Sequence, residues 1–148
     1  MIPALIRPDS WDLPLFLHVF GAILVFGTTA TLAIAGFATR RNTEHDALLA
    51  RTVAWTFLLG VLPTWLLMRI GAEWIRSKEF PGGGEPGWVG VGYVVSDGTA
   101  VLLIVTGILA WLSVRRGRVL LAVPILATIC VLAYAVAWFA MSGKALGA

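Results

Sequence analysis

Long apolar stretches alternate with short polar segments along this chain. The first stretch covers residues 13–38 with His18 as its one ionisable group, and the last covers 119–142 with no charged residue. Two further stretches, 44–78 and 88–114, are apolar over most of their length but also carry charged residues. A helix needs about 20 predominantly apolar residues to cross the hydrocarbon core of a bilayer. Each stretch is therefore predicted to form a transmembrane helix.

These four helices predict an all-α fold: a single domain, residues 1–148, built as an antiparallel bundle in a lipid bilayer. Hydrophobic residues make up 59% of the chain and charged residues 13%, whereas a soluble domain carries about a quarter charged residues. The first apolar stretch lacks a basic leader and a small-residue cleavage site, so we expect it to be retained. The basic residues form short clusters between apolar segments, which indicates topology signals and no nucleic-acid partner.

The orientation follows from these basic clusters. Positively charged residues are enriched in cytoplasmic loops. This predicts that the first and third loops are cytoplasmic and that the two termini lie outside. The two loops and their flanks carry six arginines: Arg40, Arg41, Arg51, Arg115, Arg116 and Arg118.

Charged side chains within the second and third helices form the main candidate site. Arg69 and Asp97 each lie nine residues from the expected helix end nearest the connection between these helices, which is roughly 13 Å at 1.5 Å per residue. Glu73 and Tyr93 lie one turn closer to that connection, and His18 reaches a similar depth on the first helix. We therefore predict an outer-leaflet cluster of these five residues that faces the bundle interior.

Two interpretations of this cluster stay open. A lone charge in hydrocarbon costs at least about 2.5–3.5 kcal/mol near the bilayer centre, and pairing relieves this cost. Arg69 and Asp97 can therefore form a structural clasp, since a guanidinium binds a carboxylate through two parallel hydrogen bonds. Alternatively, the cluster binds an anion, a quinone headgroup, a haem or a transported proton, because ionisable residues inside membranes often mark functional sites.

His18 is the one residue that suggests a cofactor. Histidine can ligate haem iron, and Met141 near the outer end of the fourth helix is a candidate second axial ligand. A core histidine satisfied by a hydrogen bond is the other interpretation. We expect no metal and no bound cofactor, with haem at His18 as the alternative.

Small residues and one proline are expected to shape the packing. Gly27, Thr31 and Ala35 form a ridge on the first helix that suits a dimer contact, because small residues let helices approach closely. Pro63 is expected to kink the second helix and to free the carbonyl of Leu59.

The segments LPLFLHVFGAILVFG, MRIGAEWIRSKE and GWVGVGYVVSDG resemble matching parts of small bacterial four-helix integral membrane proteins of unknown function. More distantly, the Leu17-His18 pair is similar to a Leu-His near the start of the first helix in membrane proteins of the protoporphyrinogen-oxidase and copper-resistance types. That resemblance implies further histidine or lysine residues in the membrane, whereas the third helix here contains Asp97.

Three functions are compatible with these features. The residues favour a non-enzymatic accessory or structural protein that acts as a homodimer or within a membrane complex, because the sequence shows no nucleophile–base pair and no metal-ligand set. A small haem-linked or redox enzyme is the first alternative and rests on His18. A transporter of a small solute or of protons is the second, and it rests on the charged cluster.

Overall fold

The computed structural model describes residues 9–39 and 45–143 of the chain. Within them, a 3₁₀ turn at Asp9–Trp11 leads into four long helices. Each helix is long and apolar enough to cross a membrane, so the predicted all-α fold with four transmembrane helices is confirmed. The helices are α1 (Asp12–Ala38), α2 (Asp46–Glu79), α3 (Gly87–Arg116) and α4 (Ala122–Gly143).

The start of α4 differs most from the expected boundaries. The helix begins at Ala122 rather than at residue 119, because the last turn of α3 organises the connection. The Ser113 hydroxyl accepts a hydrogen bond of 3.1 Å from the Leu120 N–H, and Gly117 adopts a left-handed φ of 65° that ends α3. Pro124 then lies in the first turn of α4, where a missing N–H costs nothing. The expected start of the second helix at residue 44 falls outside the described residues.

The helix α2 changes its neighbours midway through the membrane. Its second half, Leu62–Glu79, packs against α1, while its first half, Asp46–Trp55, packs against α3. The remaining close contacts join α4 to α1 and to α3. Residues 80–86 connect α2 to α3, and we call this end of the bundle the loop-two end.

A wider helical turn marks the point at which α2 changes neighbours. Thr56–Val61 is π-helical, and the Leu62 N–H donates to the carbonyl of Phe57, five residues earlier. Pro63 follows directly and supplies no N–H, so the hydrogen-bond ladder cannot continue unchanged. The Thr64 hydroxyl donates to the Gly60 carbonyl at 2.7 Å. The disturbance expected from Pro63 thus coincides with a π-helical turn directly before it.

Small hydroxyl residues line the buried face of α3. Thr106 and Ser113 each donate to a carbonyl four residues earlier at 2.7 Å, and Thr99 donates to the Ser96 carbonyl at 3.0 Å. These three hydroxyls are thus satisfied by their own helix, while most of the remaining core is apolar. The core includes Val25, Leu32, Val61, Leu103, Val123 and Ala127.

Two glycines bring the backbones of α1 and α2 together. A Cβ at Gly21 would lie 2.5 Å from the backbone nitrogen of Met68, and a Cβ at Gly71 would collide with the backbone of His18. The contact is reciprocal, since each helix contributes a glycine that accommodates the backbone of the other. Such close approach strengthens packing in membranes, where no hydrophobic force drives helices together.

We expect Gly21→Ala to destabilise the bundle by about 1–3 kcal/mol, because the added methyl group meets backbone and not a movable side chain. Gly27→Ala on the same helix is the matched control, since no atom lies within 4 Å of the position of its Cβ. Thermal unfolding in one detergent, followed by circular dichroism, compares the two variants. Equal melting temperatures would contradict the backbone contact.

Candidate functional site

Five charged side chains form a continuous chain of alternating charge at the loop-two end. Arg69 lies between Glu73 and Asp97, and Arg76 lies between Glu73 and Glu85. Two guanidinium groups thus separate three carboxylates, which leaves one negative charge in excess. Together with Tyr93, these residues form what we call the loop-two cluster.

Arg69 connects the two helices. Its Nη1 lies 3.0 Å from Glu73 Oε1 on α2, and its Nη2 lies 3.2 Å from Asp97 Oδ1 on α3. The first pair is an i,i+4 pair within one helix, whereas the second joins α2 to α3. The side chain of Arg69 is 23% exposed, so it is more buried than the side chains of Glu73 and Asp97.

Arg76 and Glu85 extend the cluster beyond the residues singled out from the sequence. Arg76 Nη1 lies 3.6 Å from Glu73 Oε2, and its Nε lies 2.5 Å from Glu85 Oε1. Arg76 follows Arg69 by seven residues, which places both on one face of α2. This seven-residue spacing in the sequence could therefore have been used to predict that Arg76 joins the cluster. Glu85 lies in a glycine- and proline-rich connection whose path cannot be read from helical periodicity.

The Tyr93 ring makes cation–π contacts with both arginines. The Cζ atoms of Arg69 and Arg76 lie 4.5 Å and 5.1 Å from the ring centroid. Cation–π contacts of this kind contribute about 0.5–1 kcal/mol at exposed sites. The ring therefore gives Arg69 a second attachment to α3, in addition to the carboxylate of Asp97, and it gives Arg76 a contact with that helix.

The direction of Asp97 differs from the expected interior-facing arrangement. Its side chain is 63% exposed, while Ser96 and Thr99 on either side of it are buried. Successive residues of a helix are separated by about 100°, so Asp97 and Thr99 lie on opposite faces of α3. Arg69 still reaches the carboxylate because its side chain is long enough to extend along the edge of α3.

His18 contacts the backbone of α2. Its Nδ1 lies 3.2 Å from the carbonyl oxygen of Met68, the residue before Arg69. Because a carbonyl oxygen only accepts, Nδ1 carries a proton in this contact, and Nε2 takes no part in it. The structure therefore brings Arg69, Glu73, Tyr93 and Asp97 together and places His18 beside them, on a different partner.

The depth of the cluster follows from the uncharged lengths of α2 and α3. Residues 52–68 and 98–114 each form an uncharged run of 17 residues, which spans about 25 Å as helix. A hydrocarbon core is about 30 Å thick, so Arg69 and Asp97 lie at its loop-two boundary. Charge is much less costly there than at the midplane, where one charged residue costs roughly 2–4 kcal/mol. An exposed Asp97 is therefore compatible with a membrane.

Among the described residues, no group of three or more His, Cys, Asp or Glu side chains has a geometry that would hold a metal ion. Met141, the candidate partner of His18 at a haem, packs its methyl group against Gly92 of α3. His18 instead faces α2, so the two side chains are directed toward different neighbours.

Comparisons of the chain with family models, with curated proteins and with solved structures find no match. The resemblances carried by the three apolar segments and by Leu17-His18 therefore stay expectations, and the site has to be interpreted from its own geometry.

We expect Arg69 and Asp97 to be coupled by about 0.5–1 kcal/mol, the upper range for partly exposed ion pairs. A double-mutant cycle with Arg69→Gln and Asp97→Asn, measured by unfolding in detergent, isolates this coupling energy.

The control cycle replaces Arg69→Gln by Lys78→Gln. Lys78 is a basic residue near the same end of α2, and no ion pair joins it to another described residue. A coupling energy equal to that of the Lys78 cycle would show that Arg69 and Asp97 do not interact directly.

Proposed function

We propose that this chain is a non-enzymatic structural or accessory protein of a membrane, in which the loop-two cluster clasps α2 to α3. The observation that carries the proposal is the packing of α3. Its close backbone contacts are with α4 and with Asp46–Trp55, at the far end of α2. At the loop-two end, long side chains from Arg69 and Arg76 bridge α2 to Asp97 and Tyr93 instead. Ionic and cation–π contacts thus replace backbone packing there.

The length of the helices supports a structural role for this clasp. Residues 70–79 of α2 and 87–96 of α3 continue past the charged level for ten residues each, or about 15 Å. This hairpin extends beyond the hydrocarbon core, where the bilayer no longer confines it. The loop-two cluster extends along this hairpin, from Arg69 and Asp97 to Glu85 in the connection, and fixes the two helices relative to each other.

The packing of His18 favours this role over a haem-linked enzyme. Its Nδ1 contacts the carbonyl oxygen of Met68, and the backbone of His18 itself occupies the space that a Cβ at Gly71 would need. These contacts suit a histidine that helps to join two helices. The redox alternative would use Nε2 and would need a second axial ligand, whereas Met141, the candidate from the sequence, packs against Gly92 of α3.

The buried hydroxyls weigh against a transport path. Thr99, Thr106 and Ser113 donate to carbonyls of their own helix, so they are not arranged as a chain that passes a proton or ion along the bundle. Most other buried side chains are apolar, and the further buried hydroxyls include those of Thr29, Ser96 and Tyr134.

The proposal also assigns a location. The resemblance to bacterial four-helix proteins implies a bacterial plasma membrane, and the six arginines of the first and third loops support an orientation with both termini outside the cytoplasm. In that orientation the loop-two cluster faces the extracytoplasmic side, where it is accessible to other envelope proteins.

Hydrogen exchange on the protein in lipid nanodiscs tests the clasp. Arg69→Gln should raise amide exchange about threefold to fivefold in residues 70–79 and 87–96, because loss of roughly 1 kcal/mol of contact makes local opening more frequent. Residues 52–68 should not change. Arg115→Gln, which removes the same charge at the opposite end, is the control. Unchanged exchange at the loop-two end would rule out the clasp.

His18→Ala separates the structural role from the redox alternative. We expect the variant to lose about 1 kcal/mol of stability through the missing hydrogen bond, and the absorption spectrum of gently solubilised protein to be the same with and without the substitution. A Soret band that is present in the wild type and absent from the variant would support haem ligation and contradict the proposal.

A further inference from the structure

An acidic side chain lies in the centre of an otherwise apolar outward face of α3. Seen along the helix, Asp97 has the same direction as a row of exposed aliphatic residues, of which Val94 is 75% exposed and Val101 is 61% exposed. This row extends toward the opposite end of the bundle through Ile104 and Ile108. We call it the Asp97 face.

Two glycines flank the acid on this face. Gly90 and Gly98 are exposed, and no atom lies within 4 Å of the position of a Cβ at either one. Other glycines in this bundle are used differently, since Gly21 and Gly71 make room for a neighbouring backbone. The Asp97 face thus has the small residues that permit close helix approach. It also has a carboxylate with which a lipid acyl chain cannot form an ion pair.

The net negative charge of the loop-two cluster determines the charge of the partner that can bind to the Asp97 face. Asp97 ends the alternating chain, has Arg69 as its partner, and belongs to a group with three carboxylates and two guanidinium groups. An anionic partner would be repelled, whereas a cation would neutralise the excess charge. A lysine or arginine at the hydrocarbon boundary of a neighbouring helix has the required charge at the required depth.

A second copy of this chain fits this face poorly. Protomers in a two-fold membrane dimer present the same surface to each other, and both copies have equal depth in the bilayer. The two Asp97 carboxylates would therefore approach each other across the axis, and like charges at close range repel.

We propose that the Asp97 face binds a transmembrane helix of a different protein, which packs on Gly90 and Gly98 and donates a basic side chain to Asp97. This inference rests on the proposed accessory role and names the chemistry of the partner. Binding buries the exposed carboxylate in an ion pair, at a site where the helix backbones are close.

Synthetic membrane-spanning peptides test the proposal directly. One is a Leu-Ala helix with a single lysine at the hydrocarbon boundary, and its matched partner has leucine at that position. Energy transfer in phosphatidylcholine vesicles, between dye-labelled full-length protein and dye-labelled peptide, measures association. We expect the lysine peptide to bind at least about tenfold more tightly than the leucine peptide.

Four variants link this preference to the Asp97 face. Gly98→Leu fills the open surface without touching the rest of the bundle, and it should reduce the preference to less than about twofold. Gly27→Leu adds the same side chain at an equally open site on α1 and should leave the preference intact. Asp97→Asn should abolish it, and Asp97→Glu should largely restore it.

Each other outcome would overturn the proposal. Equal binding of both peptides, or a lysine preference that survives Gly98→Leu, removes the assigned face. Energy transfer between two labelled copies that Gly98→Leu abolishes would identify a second copy as the occupant. Loss of the preference when phosphatidylethanolamine replaces phosphatidylcholine would identify a lipid amine. Hydrogen exchange reports the clasp independently, so an intact clasp without a lysine preference refutes the docking surface alone.

Discussion

A guanidinium group at the edge of hydrocarbon needs acceptors close to it, and Arg69 obtains them from two helices at once. Glu73 on α2 and Asp97 on α3 both form ion pairs with Arg69, and the guanidinium group lies over the ring of Tyr93. Removing a partner would leave a charge at the membrane boundary without its neutralising contact. The positions of α2 and α3 at the loop-two end are therefore set by one side chain and the groups around it.

The course of α2 explains why such a bridge is needed. The helix packs on α3 at one end and on α1 at the other, so it moves away from α3 as it approaches loop two. The π-helical turn before Pro63 lies where this exchange of neighbours occurs. A turn of this kind holds an extra residue, which rotates the following part of the helix relative to a regular α-helix. The side chains of Arg69 and Arg76 then bridge the gap between the backbones of α2 and α3.

Counting residues along the helices predicted the common depth of Arg69 and Asp97, because the rise per residue is fixed. It did not predict that Asp97 faces outward, since that depends on how α3 is rotated by its packing on α4. Nor could the sequence reveal that His18 binds the carbonyl of Met68, because every residue has a carbonyl. Glu85 was equally hidden, since glycines around it leave the path of the connection open.

The close glycine contact between α1 and α2 is linked to the loop-two cluster through the backbone. Gly21 of α1 touches Met68, and Met68 is bonded to Arg69. The origin of the arginine side chain is thus set by how closely two helices meet on the far side of α2. A designer who transfers the alternating charges to another helical hairpin would have to transfer this glycine contact with them. Otherwise the same side chains would start from shifted positions and their partners would no longer be within reach.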